Sequence, residues 1–248
     1  MGCPRWVRAN LGCLALLALF AAHPARAAIS VTGEPDDISF RASVTTSQFR
    51  TSSLLGATLT GDPSSRGVEY VFKLPTSDTG QTTVRSAEFR FTITSALAKP
   101  TTYNIDLYAL PARTSPVTLD TDYFFGPLET VVPPTGATTR IVDNLALPDT
   151  VPVATEVAFP FATGSTFVDF LNTQYGPTGA GAGKYIFLRL NPDVLILNTT
   201  DDTGWNVNMA EATTGKPTLV LTFVPEPTLV LPAILLFLAA RRTRKKPQ

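Results

Sequence analysis

The chain has 248 residues with 20 Lys+Arg against 20 Asp+Glu, and its two cysteines and single histidine, Cys3, Cys13 and His23, all precede residue 28. Past that point there is no thiol and no imidazole, which excludes disulfides, thiol nucleophiles, His-based triads, His general bases and zinc sites of the His/Cys type. The formal neutrality conceals an acidic middle: three basic residues precede residue 28 and five follow residue 240, leaving 12 Lys+Arg against 19 Asp+Glu in residues 28–224, a balance that argues against a nucleic-acid partner.

At the front, Arg5 and Arg8 form a positive region and Leu11 to Ala22 a 12-residue apolar run. Ala25-Arg26-Ala27 then offers small residues at the two positions a signal peptidase tests, so the pattern predicts a cleavable signal peptide over residues 1–27. The run is too short for an ordinary spanning helix, and Pro24 closes it. Cys13 precedes most of the apolar stretch instead of following it, which does not fit a lipoprotein signal.

From residue 28 the pattern changes to period two, the mark of half-buried strands. Val68, Tyr70, Phe72 and Leu74 share one face while Glu69 and Lys73 share the other; Ala87, Phe89, Phe91 and Ile93 alternate with Glu88, Arg90 and Thr92. The alternation recurs at Tyr103 to Ala109, Val157 to Phe161, Ile186 to Leu190 and Leu219 to Phe223, and further strands are expected near Phe40 to Thr46, Val117 to Asp120, Leu128 to Val132 and Trp205 to Met209. Each should set one face on a core and one in water. Ser165, a capping residue, followed by Phe167, Phe170 and Leu171 at spacings of three and four, predicts one short helix over 165–175. The expected fold is therefore all-β: one domain over residues 28–223, a two-sheet antiparallel β-sandwich of jelly-roll type, large enough to bury about 70% of its unfolded surface without disulfides.

The chain closes on Val224-Pro225-Glu226-Pro227, an apolar stretch from Leu229 to Ala240, and Arg241, Arg242, Arg244, Lys245 and Lys246. The prolines keep a protease-accessible strip free of regular structure. The 12 apolar residues span about 18 Å as a helix, short against a hydrocarbon core of about 30 Å, and the basic end stays cytoplasmic by the positive-inside rule. Residues 224–248 resemble the PEP-CTERM sorting signal, in which these three parts stand in this order. That resemblance implies a short hydrophobic C-terminal helix that holds the chain in the inner membrane transiently, and an exosortase that processes it in a Gram-negative, exopolysaccharide-producing bacterium. It also implies delivery by signal peptidase and the general secretory machinery to the cell surface or medium.

Within the domain, Gly67-Val68-Glu69-Tyr70-Val71-Phe72-Lys73-Leu74-Pro75, Ser86-Ala87-Glu88-Phe89-Arg90-Phe91, Tyr103-Asn104-Ile105-Asp106-Leu107-Tyr108 and Glu211-Ala212 before Lys216-Pro217-Thr218-Leu219-Val220-Leu221 resemble the DNRLRE group. These are jelly-roll modules of secreted bacterial proteins, some of them carbohydrate binders. The arginine usual in the first of these strands is absent, with Glu69 and Tyr70 in its place, so the resemblance implies a fold and no catalytic residue.

Three chemistries compete for the remaining polar residues. Sugar binding needs exposed aromatic faces flanked by hydroxyl-reading groups; Tyr108, placed by parity outward with Asn104 and Asp106, and Trp205, between Asp202 and Asn206, are the candidates. Calcium wants several oxygens in a flexible loop, and Thr199 to Gly204 has that composition, with Asp201 and Asp202 as candidate ligands. The acidic pairs Asp36-Asp37, Asp120/Asp122 and Asp201-Asp202 read as turn residues more readily than as glycosidase carboxylates. No catalytic residue and no cofactor beyond that calcium is expected. The sequence thus points to a non-enzymatic, exported surface or matrix protein, with a carbohydrate-binding module as the alternative and a polysaccharide hydrolase or lyase as the third.

Overall fold

The computed structural model describes residues 28–41, 44–46, 52–58, 64–75, 83–97, 104–119, 122, 138–192 and 203–224. These belong to one compact unit, Ala28–Val224. The expected signal-peptide residues Ala25 and Ala27, the tail from Pro225 to Gln248, the loop with Asp201 and Asp202, and the strand expected at Leu128 to Val132 lie outside the described residues. Among the described residues no helix is long and apolar enough to cross a membrane.

The alternating segments become antiparallel strands. In chain order the strands are β1 (Ala28–Thr32), β2 (Glu34–Arg41), β3 (Val44–Thr46), β4 (Ser52–Thr58), β5 (Ser64–Lys73), β6 (Val84–Ala96), β7 (Ile105–Arg113), β8 (Thr139–Val142) and β9 (Thr155–Phe161). The helix α1 (Thr166–Tyr175) follows, then β10 (Tyr185–Pro192), β11 (Thr203–Asn208) and β12 (Thr218–Phe223). The sheet runs β1-β12-β6-β11-β4-β5-β10-β7-β8, with β9 also on β6 and the β2–β3 hairpin on β5. Two long strands change partners partway along. β6 pairs with β12 through Val84 to Arg90 and with β11 through Ile93 to Ala96. β5 pairs with β10 through Val68 to Lys73 and with β4 through Ser64 to Arg66. These exchanges let one sheet curl over into an arrangement resembling a β-sandwich, with β4 and β11 as its seam.

The core lies inside the curl. Tyr70 and Phe72 of β5 meet Phe89 and Phe91 of β6, the Tyr70–Phe89, Tyr70–Phe91 and Phe72–Phe89 ring centroids lying 5.8, 6.1 and 6.0 Å apart. Each such buried aromatic contributes about 1.5–3 kcal/mol over its exposed state, so the alternation read from the sequence is the main source of the fold's stability. The helix α1 begins at Ser165, whose hydroxyl accepts from Val168 N–H at 3.3 Å, as predicted. It packs Phe167 edge-on to Phe161 at 4.9 Å and Tyr175 edge-on to Phe223 at 5.6 Å. Its amides also serve strand ends. Asn172 bonds both backbone groups of Val84 at 2.7 and 3.0 Å, and Gln174 accepts from Ala112 N–H at 2.7 Å.

Two expectations are corrected. Phe40 to Thr46 is not one strand but parts of β2 and β3, which pair antiparallel with Arg41 opposite Val44. Residues 117–119, expected as a strand, have no strand structure. They form part of an irregular strap, because the Asp122 carboxylate takes the Leu119 N–H at 2.7 Å and the Arg113 guanidinium at 2.8 and 3.1 Å, and these bonds replace a strand ladder.

Candidate functional site

Three places in the described body carry polar chemistry. The first is the second face of β5, β10 and β7, which the alternation assigns to water. It is buried instead. Val71, Phe187 and Leu110 form a small apolar cluster there, with Arg113 at the end of β7 lying over the Phe187 ring at 3.7 Å. Beside them a polar row crosses the sheet: Glu69 is opposite Arg189, Arg189 opposite Tyr108, and Tyr108 opposite Arg140. Arg189 is fully buried, donates to the backbone carbonyl of Asp122, and reaches Asn191 Oδ1 at 3.2 Å. Glu69 is fully buried too, and neither of its carboxylate oxygens has a hydrogen-bond partner. Burial, with Asp122 adding to it, pushes Glu69 up to about 8 against the opposing pull of Arg189 and Arg113. Glu69 and Arg189 have no exposed surface, so neither can meet a substrate; Arg189 ties the strap to the sheet.

Tyr108 belongs to that row, on the face the parity argument gave it but not in water. It is 3% exposed and its hydroxyl donates to Asp106 Oδ2 at 2.6 Å. Asp106 in turn accepts from Asn144 N–H at 2.9 Å and has Arg140 3.8 Å away, which fixes the corner after β8, where Asn144 takes φ 59°. Trp205 is 2% exposed, in the core, with its indole N–H donating to Pro148 O at 2.8 Å. Neither ring presents a face on which a sugar could stack, so both sugar-platform assignments are corrected. β7 is buried on both faces from Ile105 to Leu110, and Trp205 shares the core face of β11 with Val207.

The second place is a shallow groove of about 410 Å³ on the outer side of β12, β6 and β9. Ser86, Glu88, Arg90 and Thr222 supply its polar lining and Pro160 and Phe161 its apolar part. Arg90 pairs with Glu88 and lies 3.6 Å from Glu156. The third is a carboxyl pair, Asp37 and Glu211, where β2 meets the turn after β11. Among the described residues no group of three or more His, Cys, Asp or Glu side chains gathers to hold a metal.

The two ends of the body also meet. β1 pairs with β12 along its length, Ala28 opposite Thr222 and Thr32 opposite Thr218. Val224, 43% exposed, closes the body with its N–H donating to Thr83 O at 2.8 Å. The residues flanking the two expected processing points therefore leave the body from one end of one strand pair. Sequence reasoning missed the Glu69–Arg189 row. Its signal is a charged residue in each of two otherwise apolar runs, Val68 to Phe72 and Ile186 to Leu190.

No family model matches the chain, and no curated protein matches it. Among solved structures it is similar to the native structure of a family 35 carbohydrate binding module from Clostridium thermocellum, with 8% identity and a TM-score of 0.28, covering 78% of this chain and 97% of that one.

Proposed function

We propose that the chain is a non-enzymatic surface or extracellular matrix protein of an exopolysaccharide-producing Gram-negative bacterium. It is exported by the general secretory route and sorted by an exosortase acting near Pro225 to Pro227. The observation that carries this reading is the order Pro225-Glu226-Pro227, apolar stretch and basic end directly after the last core strand. The body supports it. Both signals lie outside the compact unit Ala28–Val224, and β1 and β12 hold each other, so trimming both ends leaves this strand pair whole. Glu69, Arg189 and Tyr108 of the polar row are buried, as suits side chains that hold the body together. Its test is a Glu226→Ala variant in a host that carries an exosortase: the variant should remain with the inner membrane while the wild type reaches the surface or medium. Equal release of the two would sink the reading.

Carbohydrate binding is the second reading, and the groove of Ser86, Glu88, Arg90 and Thr222 favours it, because hydroxyl-reading groups there flank the apolar Pro160 and Phe161. Pull-down with the host's own exopolysaccharide, comparing wild type with Arg90→Ala, tests it; no retention of the wild type would end it.

A further inference from the structure

The N-terminal segment is stitched to the turn between β11 and β12. Ala212 N–H donates to Met209 O at 3.0 Å and closes that turn, Ala210 N–H within it donates to Asp37 Oδ2 at 2.6 Å, and Gly33 N–H donates to Pro217 O at 2.9 Å. Asp37 is 1% exposed. Its second oxygen, Oδ1, and both carboxyl oxygens of Glu211, the residue after Ala210, are buried with no donor from any other group. Among the described residues the charged groups acting on Asp37 are Glu211 from the turn and Asp36 on its own strand, and both are acidic. From β5, Tyr70 faces the same corner as a neutral phenol whose proton is committed to Asn208 O at 3.1 Å. Among the described residues no guanidinium or ammonium group acts on Asp37.

Two carboxyl groups in contact, out of water and without a cation, cannot both stay ionised, since each charge raises the cost of the other. An O–H···O⁻ bond between them removes one charge and gives the orphaned oxygens a donor. We propose that Asp37 and Glu211 hold one proton between them, a carboxyl clasp that closes the N-terminal segment onto the β11–β12 turn and opens when base removes the proton. Burial, the backbone bond from Ala210 and the neighbouring Glu211 together set Asp37 at about 8. A folded-state value above the unfolded one gives stability that is complete below the unfolded pKa and lost as pH rises through about 8.

The test is the thermal midpoint of the purified protein from pH 6.5 to 9.5, for wild type, Asp37→Asn and Glu211→Gln. In either variant an amide N–H takes the place of the shared proton. Each amide variant should lose less than the wild type on going to alkaline pH, by about 4 °C or more, and the two variants should behave alike. Because Glu69 titrates in the same range in all three proteins, the difference between them reads the clasp alone. A pH profile in both variants that parallels the wild type would overturn the proposal. So would a rise of several degrees in the wild-type midpoint on adding millimolar calcium at pH 7.5 that the variants lack, since a cation and not a proton would then join the pair.

Discussion

Arg189 stands directly opposite Glu69 across the β10–β5 pair, and neither side chain has any surface in water. The guanidinium also supports the strap through the Asp122 carbonyl and meets Asn191. Removing the guanidinium takes a donor from the buried Asp122 carbonyl and Asn191 Oδ1 and leaves a cavity between strap and sheet, which typically costs about 2–5 kcal/mol. Arg189→Ala should therefore lower unfolding free energy by that amount in a urea titration. Glu69→Gln, which keeps the shape and removes only the titration, should cost about 1 kcal/mol or less at pH 7.

The same carboxyl sets a pH dependence. Burial holds Glu69 at about 8, above its unfolded value, so the folded state binds the extra proton between the two pKa values and stability falls as pH rises across that window. Denaturant midpoints at pH 5.5, 7 and 9 should decrease in that order for the wild type. Glu69→Gln should show a shallower decrease, and a double variant with Asp37→Asn a shallower one still, because the two carboxyls sit in separate clusters and their effects should add.

Tyr108 distinguishes a structural ring from a sugar platform. Its hydroxyl bonds Asp106 and its ring is covered. Tyr108→Phe should cost about 1 kcal/mol through the lost bond and leave retention on exopolysaccharide unchanged. A loss of retention at full stability would restore the ring to a ligand site.

Gly181 lies where the chain folds back over the end of α1. A Cβ there would stand 1.9 Å from the Gln174 carbonyl oxygen and 2.9 Å from the Tyr175 Cα, both backbone atoms that cannot swing aside. Gly181→Ala should thus destabilise the protein by about 2 kcal/mol or more, seen as a lower thermal midpoint.

Much of the fold was legible because period-two apolarity reports on which face of a strand meets the core, and Phe89, Phe91, Ile186, Leu188, Leu219 and Leu221 all point where their spacing says. Ser165 announced α1 by the same kind of local chemistry. Alternation is silent on what covers the other face. Phe187 and Val71 alternate with the core residues as surface positions would, yet they are buried, with Arg113 over the Phe187 ring and paired to Asp122 of the strap. That is why Tyr108 was expected in water. The strand expected near Val117 failed for the same reason: Asp122 competes for the Leu119 N–H. The carboxyl pair Asp37–Glu211 joins residues far apart in sequence, and Asp37, read as a turn residue, sits in β2.

Delivery to the surface or medium is read most directly by intact-mass measurement of the protein recovered there. With exosortase present, the recovered form should begin at Ala28 and end near Pro225 to Pro227, and without exosortase it should retain the basic end. A secreted form still ending at Gln248 would contradict exosortase processing.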